Sequence, residues 1–233
     1  MTELLDSNCN VLEIKDELLM LLDTMQQYAT YHPQEEIRVG AKSLAFVLGD
    51  LTLHDELCTP EERSFYHDTL ALRLADIEGV WYRTPKEQLA IGDSNAVVVS
   101  TLSTDYLLYD ENMTSHILRL MYYQHEEDES MVFALPDDAA GIATIMFSDR
   151  LDGTLIDSVR FNQDNCLGLI KKADAGYSGM VFGKDLIDAM RQHMWMFVAY
   201  VDSDESKPIA DRIHSYQILL SYFQTAYDNL SVE

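Results

Sequence analysis

The middle of the chain alternates short β-branched and aromatic runs with turn residues, and this pattern restricts the available folds most. Strands are predicted at 96–102, 106–109, 131–135, 142–147, 155–161, 167–170 and 180–182. Turn-forming residues such as Pro136-Asp137-Asp138 separate several of them. Residues 114–124 fit a helix or a strand equally well. Short strands in succession, without long helices between them, favour an antiparallel sheet.

Both flanks of this region carry apolar residues at three- and four-residue spacing, which predicts helices. On the N-terminal side, helices are predicted over 10–32, 35–48 and 60–78. Thr59 and Glu62 have the positions of a capping box, and Gly49 is expected to end the second helix. On the C-terminal side, two helical faces are predicted: one carries Leu186, Met190, Met194 and Phe197, and the other runs over 208–228. Four residues of the predicted helices are expected to be buried: Leu18, Leu21, Ile213 and Leu220.

The order of these elements predicts an α+β fold with N-terminal helices, a central mainly antiparallel sheet and C-terminal helices. No linker rich in Gly, Pro or Ser divides the chain. We therefore expect a single domain over 1–233, with a helical block at 1–79, a β-rich core at 80–182 and C-terminal helices at 183–233.

The charge of the chain is its strongest functional signal. Its 233 residues include 40 Asp and Glu against 16 Lys and Arg, a formal net charge of -24. Between residues 87 and 149 there are twelve acids, and Arg119 is the one base. A protein that grips nucleic acid or an anionic membrane through phosphates needs the opposite sign. The composition therefore argues against direct binding to nucleic acid and against membrane docking.

Six acids lie close together in the sequence around one predicted strand, and they are the predicted partner-binding residues: Glu126, Glu127, Asp128, Glu129, Asp137 and Asp138. Like charges at this density repel one another and lower stability, and solubility alone does not require so many of them. The prediction is an acidic inhibitor or adaptor that binds a basic protein surface. In its finer form, the partner is a nucleic-acid-binding protein and the chain mimics nucleic acid. A plain solvated face is the alternative interpretation of the same charges.

A second function rests on the string Phe147-Ser-Asp149-Arg-Leu-Asp152-Gly-Thr. It resembles the first motif of the haloacid dehalogenase-like phosphatases, in which an apolar strand ends in Asp-x-Asp-Gly-Thr. The resemblance implies a doubly wound sheet and Mg²⁺-dependent phosphohydrolase chemistry at Asp149 and Asp152. Arg150 stands where the family has its nucleophile. The hairpin alternative pairs 142–147 with 154–161 through a turn at 151–153.

The remaining motifs predict no catalytic residue, no metal ligands and no cofactor. His54 and Cys58 are four residues apart, but no second Cys/His pair completes a zinc set. The three cysteines, an odd and sparse set, favour a reducing, cytoplasmic location. The longest apolar stretch, 194–201, is too short to span a bilayer. A structural or assembly subunit is a third functional class. The sequence leaves open whether the protein forms a homo-oligomer.

Overall fold

The computed structural model describes residues 15–31, 44–53, 59–74, 79–84, 97–103, 118–125, 128–150, 156–171 and 177–230. The helices among these residues are α1 (Lys15–Tyr31), α2 (44–51), α3 (Pro60–Ser64), α4 (Ala71–Leu74), α5 (Lys184–Gln192), α6 (Ile209–Arg212) and α7 (Ser221–Leu230). A π-helical segment, Phe65–Leu70, joins α3 to α4, and Gln163–Asn165 forms a 3₁₀ turn.

The strands of the described chain form two antiparallel sheets. Their strands are β1 (Tyr82–Arg83), β2 (Val97–Ser103), β3 (Leu118–His125), β4 (Asp128–Ala134), β5 (Ala139–Ser148), β6 (Ile156–Phe161), β7 (Gly168–Lys171), β8 (Tyr177–Phe182), β9 (Trp195–Asp202) and β10 (Ile213–Leu219). The six-stranded sheet has the order β1-β2-β3-β4-β8-β7, and the four-stranded sheet has the order β10-β9-β5-β6. Residues 135–138 carry the chain from one sheet to the other. The antiparallel pairing predicted for the central region is confirmed.

Helices α1, α3 and α4 lie inside N-terminal spans that were predicted to be helical. Thr59 and Glu62 form the predicted capping box: the Glu62 carboxylate accepts from the Thr59 amide at 2.8 Å. Gly49 does not end α2 as expected, because it lies inside the helix and is buried. An added Cβ there would lie 2.7 Å from Val80 Cγ1 and 2.8 Å from the Trp81 carbonyl oxygen. Gly49 therefore permits α2 to pack closely against the segment before β1.

The predicted fold class is wrong because the C-terminal third is not a set of helices. Strands β9 and β10 occupy much of 195–219, and the molecule is mostly β with short helices around two sheets. The spacing of Ile213, Tyr216 and Leu220 suits a helix. In the structure Tyr216 and Ile218 are buried alternately instead, because β10 pairs with β9 along its whole length. Backbone pairing with a neighbouring strand overrides the local pattern.

Two of the four residues that were expected to be buried are buried, and two are exposed. Leu18 and Leu220 are buried as expected, at 6% and 0% exposure. Leu21 is 39% exposed and Ile213 is 50% exposed, so both expectations are wrong. Leu21 lies on α1 beside the buried stripe, and Ile213 occupies the outward position at the start of β10.

Aromatic contacts connect the N-terminal helices to the C-terminal helix. The rings of Phe46 on α2 and Tyr222 on α7 stack with centroids 3.9 Å apart. Trp81 packs against Phe223 at 4.9 Å. These contacts hold α7 between the N-terminal helices and the six-stranded sheet. On the sheet side, Tyr122 of β3 also packs against Phe223 of α7. Among the described residues, no helix combines the length and apolarity needed to cross a bilayer.

Candidate functional site

The described acids of the predicted partner-binding set lie at the two ends of strand β4. Asp128 and Glu129 begin the strand, and Asp137 and Asp138 follow it in the turn before β5. Glu126 and Glu127 lie outside the described residues. Seven residues of strand, at roughly 3.3 Å each, span about 20 Å. We call the Asp128 side the hairpin end and the Asp138 side the crossover end.

At the hairpin end, strands β3 and β4 approach each other most closely in sequence. His125 pairs with Asp128 in the antiparallel register, which leaves two residues, 126 and 127, for the connection. Asp128 is exposed. The predicted acidic run therefore lies where β3 leads into β4. Within it, the carboxylate of Asp128 faces solvent.

Glu129 differs from Asp128 because its carboxylate is held by neighbouring side chains. The Tyr227 hydroxyl donates to both of its oxygens, at 3.1 and 3.2 Å, and Lys184 Nζ lies 3.7 Å away. Burial and the nearby Glu129 carboxylate raise the pKa of the Tyr122 hydroxyl. Burial and the hydrogen bond to Glu129 raise the pKa of Tyr227 as well, so the hydroxyl stays a proton donor. Glu129 is thus part of a structural network as much as of a surface.

A cleft of about 350 Å³ opens beside Glu129. Phe161, Leu167 and Phe182 form its apolar wall, and Lys184 and Asp185 from the start of α5 form its charged rim. Leu167 is 72% exposed at this wall. The cleft contains opposite charges close together, so its chemistry does not single out one ligand class.

The crossover end brings together residues that are far apart in the sequence. Asp138 precedes β5, Asp202 ends β9 and His214 lies near the start of β10. Because Ala139 pairs with Asp202 and Tyr200 pairs with His214, these three positions meet at one end of the four-stranded sheet. One ligand atom from each of Asp138, Asp202 and His214 lies within 4.8 Å of the others. Among the described residues, these three form the group of acidic and histidine side chains whose ligand atoms lie close enough together to bind one metal ion.

Asp202 is a buried carboxylate, only 2% exposed. Lys207 Nζ lies 2.6 Å from its Oδ2, and the Asp204 amide donates to Oδ1 at 2.8 Å. Burial acts to raise the pKa of Asp202, but the hydrogen bonds from Lys207 and Asp204 outweigh burial and hold that pKa below its usual value. Asp202 is therefore ionised at neutral pH, and the Lys207 ammonium group balances its charge.

The aromatic ring of Tyr200 supports the other two members of the group. It stacks on the His214 imidazole with ring centroids 5.0 Å apart, and its hydroxyl lies 3.4 Å from Asp138 Oδ1. Burial raises the pKa of Tyr200, with further contributions from Tyr216 and Asp138, so its hydroxyl remains protonated. Nε2 of His214 is buried and has no hydrogen-bond partner in the part of the chain that the structure describes.

The residues of the phosphatase-like string lie elsewhere. Strands β5 and β6 pair antiparallel, with Ser148 opposite Ile156, which confirms the hairpin interpretation of this segment. Asp149 is exposed and accepts from the Met194 amide at 3.3 Å, with His193 Nδ1 at the same distance. Asp152 lies outside the described residues. All strand pairs in the described sheets are antiparallel, unlike the doubly wound sheet that the resemblance implies.

No protein-family model, curated protein or solved structure matches the chain. The interpretation of the site therefore depends on its own geometry. The sequence analysis assigned Asp138 to the partner-binding set and predicted no metal ligand, and it did not single out Asp202 or His214. A signal for Asp202 exists: Met196, Val198 and Tyr200 alternate as buried residues along β9, and Asp202 continues that alternation with a carboxylate.

Proposed function

We propose that this protein is an acidic interaction protein that binds a basic surface of a protein partner as an inhibitor or adaptor. The observation that carries the proposal is the formal net charge of -24, combined with exposed carboxylates at both ends of β4. Carboxylates spread over a surface attract a basic partner over long range and accelerate its association. Binding of this kind weakens as salt screens the charges.

The finer form of the proposal is imitation of nucleic acid. A duplex presents phosphates along its length and completes a helical turn in about 34 Å. The two acidic ends are separated by β4, a strand of about 20 Å. A basic groove of the partner that accommodates part of one duplex turn is therefore long enough to contact both the hairpin end and the crossover end. Under this form, the partner is a nucleic-acid-binding protein, and it binds either nucleic acid or this protein but not both at once.

The structure divides the acids into contact candidates and structural residues. Asp128, Asp137 and Glu205 are exposed. Glu129 and Asp202 bind Tyr227 and Lys207 respectively, so substituting them would disturb the fold together with the surface. The interface test consequently leaves Glu129 and Asp202 unchanged. The phosphohydrolase and assembly-subunit alternatives gain no comparable support from the described residues.

The experiment begins with recovery of partners from a native lysate at low salt, followed by association kinetics at several salt concentrations. Three matched sets, each removing three charges, are then compared. The hairpin set is Glu126→Gln, Glu127→Gln and Asp128→Asn; the crossover set is Asp137→Asn, Glu205→Gln and Asp211→Asn; the control set is Glu17→Gln, Glu61→Gln and Asp164→Asn.

We expect the hairpin set to slow association and flatten its salt dependence more than the control set, because steering depends on charges near the contact. A comparable loss in the crossover set identifies both ends as the interface. Equal effects of all three sets would reduce the charge to a diffuse field and contradict a localised interface. Binding that resists salt and ignores all three sets would refute the proposal. Competition by a short DNA or RNA duplex tests the mimicry form, and simultaneous binding of duplex and protein contradicts it.

A further inference from the structure

We propose that Asp138, Asp202 and His214 form a binding site for a divalent transition-metal cation, with zinc as the best-suited ion. The site lies at the crossover end, where the strand β9, the start of β10 and the turn before β5 meet. It shares Asp138 and the crossover end with the acidic partner surface proposed above, but the inference depends on ligand geometry and not on a partner.

The first support is the composition of the donor set. Two carboxylates and one imidazole offer ligand atoms within 4.8 Å of one another. Zinc accepts both oxygen and nitrogen ligands, whereas Mg²⁺ and Ca²⁺ prefer oxygen. Three protein ligands also leave a coordination position for water, as in open zinc sites. The imidazole therefore selects the class of ion.

The second support is the state of the imidazole. His214 Nε2 is buried without a hydrogen-bond partner among the described residues. A buried polar atom that stays unsatisfied costs free energy, and a metal ion bound by this imidazole together with the two carboxylates would satisfy it. The Tyr200 ring stacked on His214 limits how far the imidazole can turn.

The third support is that paired strands carry Asp202 and His214, while Asp138 lies in the turn directly before β5. Asp202 is 2% exposed at the end of β9, and the main-chain pairing of β9 with both neighbours fixes its position. Ligands mounted on paired strands need little reorganisation to bind an ion. An exposed cluster of acids on a loop lacks this property.

Lys207 is the competing cation. Its ammonium group contacts Asp202 at 2.6 Å and Asp204 at 3.8 Å, although the Lys207 side chain is 49% exposed. Because Lys207 lies on an exposed connection between β9 and α6, it can move into solvent when a divalent ion takes its place. The proposal therefore predicts that metal and lysine compete for the same carboxylate.

The test uses the full chain, stripped of metal with EDTA and then freed of the chelator. Zinc binding is measured by calorimetry, and cobalt absorption reports the coordination geometry. His214→Gln and Asp138→Asn should each weaken zinc binding at least about tenfold, because loss of even a supporting group at a metal site has an effect of this size. The matched control, Asp149→Asn with His193→Gln, removes another Asp–His pair, whose atoms lie 3.3 Å apart, and should leave the affinity unchanged.

Lys207→Met supplies the complementary test, because it removes the competitor and no ligand. We expect it to tighten zinc binding, and circular dichroism of every variant shows that the fold is retained. Equal zinc affinity in wild type, His214→Gln and Asp138→Asn would overturn the site, since the acidic surface alone would then account for binding. Zinc binding unchanged by Lys207→Met would also overturn it, as would displacement of zinc by equimolar Mg²⁺.

Discussion

At the scale of single residues, this protein uses its carboxylates in three different ways. Asp128 is exposed to solvent, Glu129 is clamped by Tyr227 and Lys184, and Asp202 is buried against Lys207. A buried carboxylate needs hydrogen bonds or an opposite charge, whereas an exposed one is satisfied by water. Net charge therefore does not reveal which acids are available to a partner.

The Tyr227 hydroxyl provides a direct test of this distinction. Tyr227→Phe keeps the ring packed against Tyr122 and Phe223 but removes the donor to both oxygens of Glu129. We expect the free energy of unfolding to fall by about 1.5–3 kcal/mol, the range for hydrogen bonds to charged groups. Urea denaturation measures the change.

Tyr222→Phe is the control for Tyr227→Phe. Tyr222 is 39% exposed, and its ring stacks on Phe46. Removing an exposed hydroxyl while keeping the ring should change stability by less than about 0.5 kcal/mol. Equal effects of the two substitutions would show that the bond to Glu129 contributes nothing particular to the fold.

At the scale of secondary-structure elements, close packing determines which helices and strands can coexist. Helix α2 approaches the segment before β1 so closely that Gly49 has no room for a side chain. The conflict involves the main-chain oxygen of Trp81, which cannot turn aside as a side chain can. Backbone approach, more than helix termination, explains glycine at this position.

Gly49→Ala tests this packing. Alanine favours a helix over glycine by about 1 kcal/mol. We nevertheless expect a net loss of about 1–3 kcal/mol in the free energy of unfolding, because the added methyl group overpacks the contact. Gly168→Ala is the matched control, since its Cβ would have no heavy atom within 4 Å. A Gly49→Ala protein as stable as wild type would contradict the close approach.

At the scale of the whole molecule, excess negative charge opposes compaction. The formal net charge is -24, and described ion pairs such as Lys184 with Glu129 neutralise only individual acids. Self-repulsion among the remaining acids lowers stability when it is not screened. The same charges attract a basic partner, so salt should have opposite effects on folding and on association.

We expect the melting temperature of the free protein to rise by roughly 2–4 °C, about 1 kcal/mol for a chain of this size, when NaCl is increased from about 0.01 to 1 M. The reason is that the Debye length falls from about 30 Å to about 3 Å. Thermal denaturation followed by circular dichroism measures this. The hairpin set described above should show a smaller rise, because it has fewer charges to screen. A fall in melting temperature with salt would mean that attractive pairs outweigh the repulsion.

The sequence by itself determined the features that depend on neighbours along the chain. Thr59 and Glu62 interact across one helical turn, and the β5–β6 hairpin pairs segments adjacent in sequence, so local spacing predicts both. The excess of acids is likewise a property of composition. These features need no information about distant residues, because the interacting groups are brought together by regular local geometry.

Only the tertiary structure decided the C-terminal strands and the Asp138–Asp202–His214 group. Ile213, Tyr216 and Leu220 have helical spacing, but the main-chain groups of β10 find their hydrogen-bond partners on β9. That pairing, together with β9 against β5, places His214 and Asp202 beside Asp138 across more than sixty positions of sequence. Long-range strand pairing chooses among locally acceptable conformations, because it satisfies the backbone and buries one face at the same time.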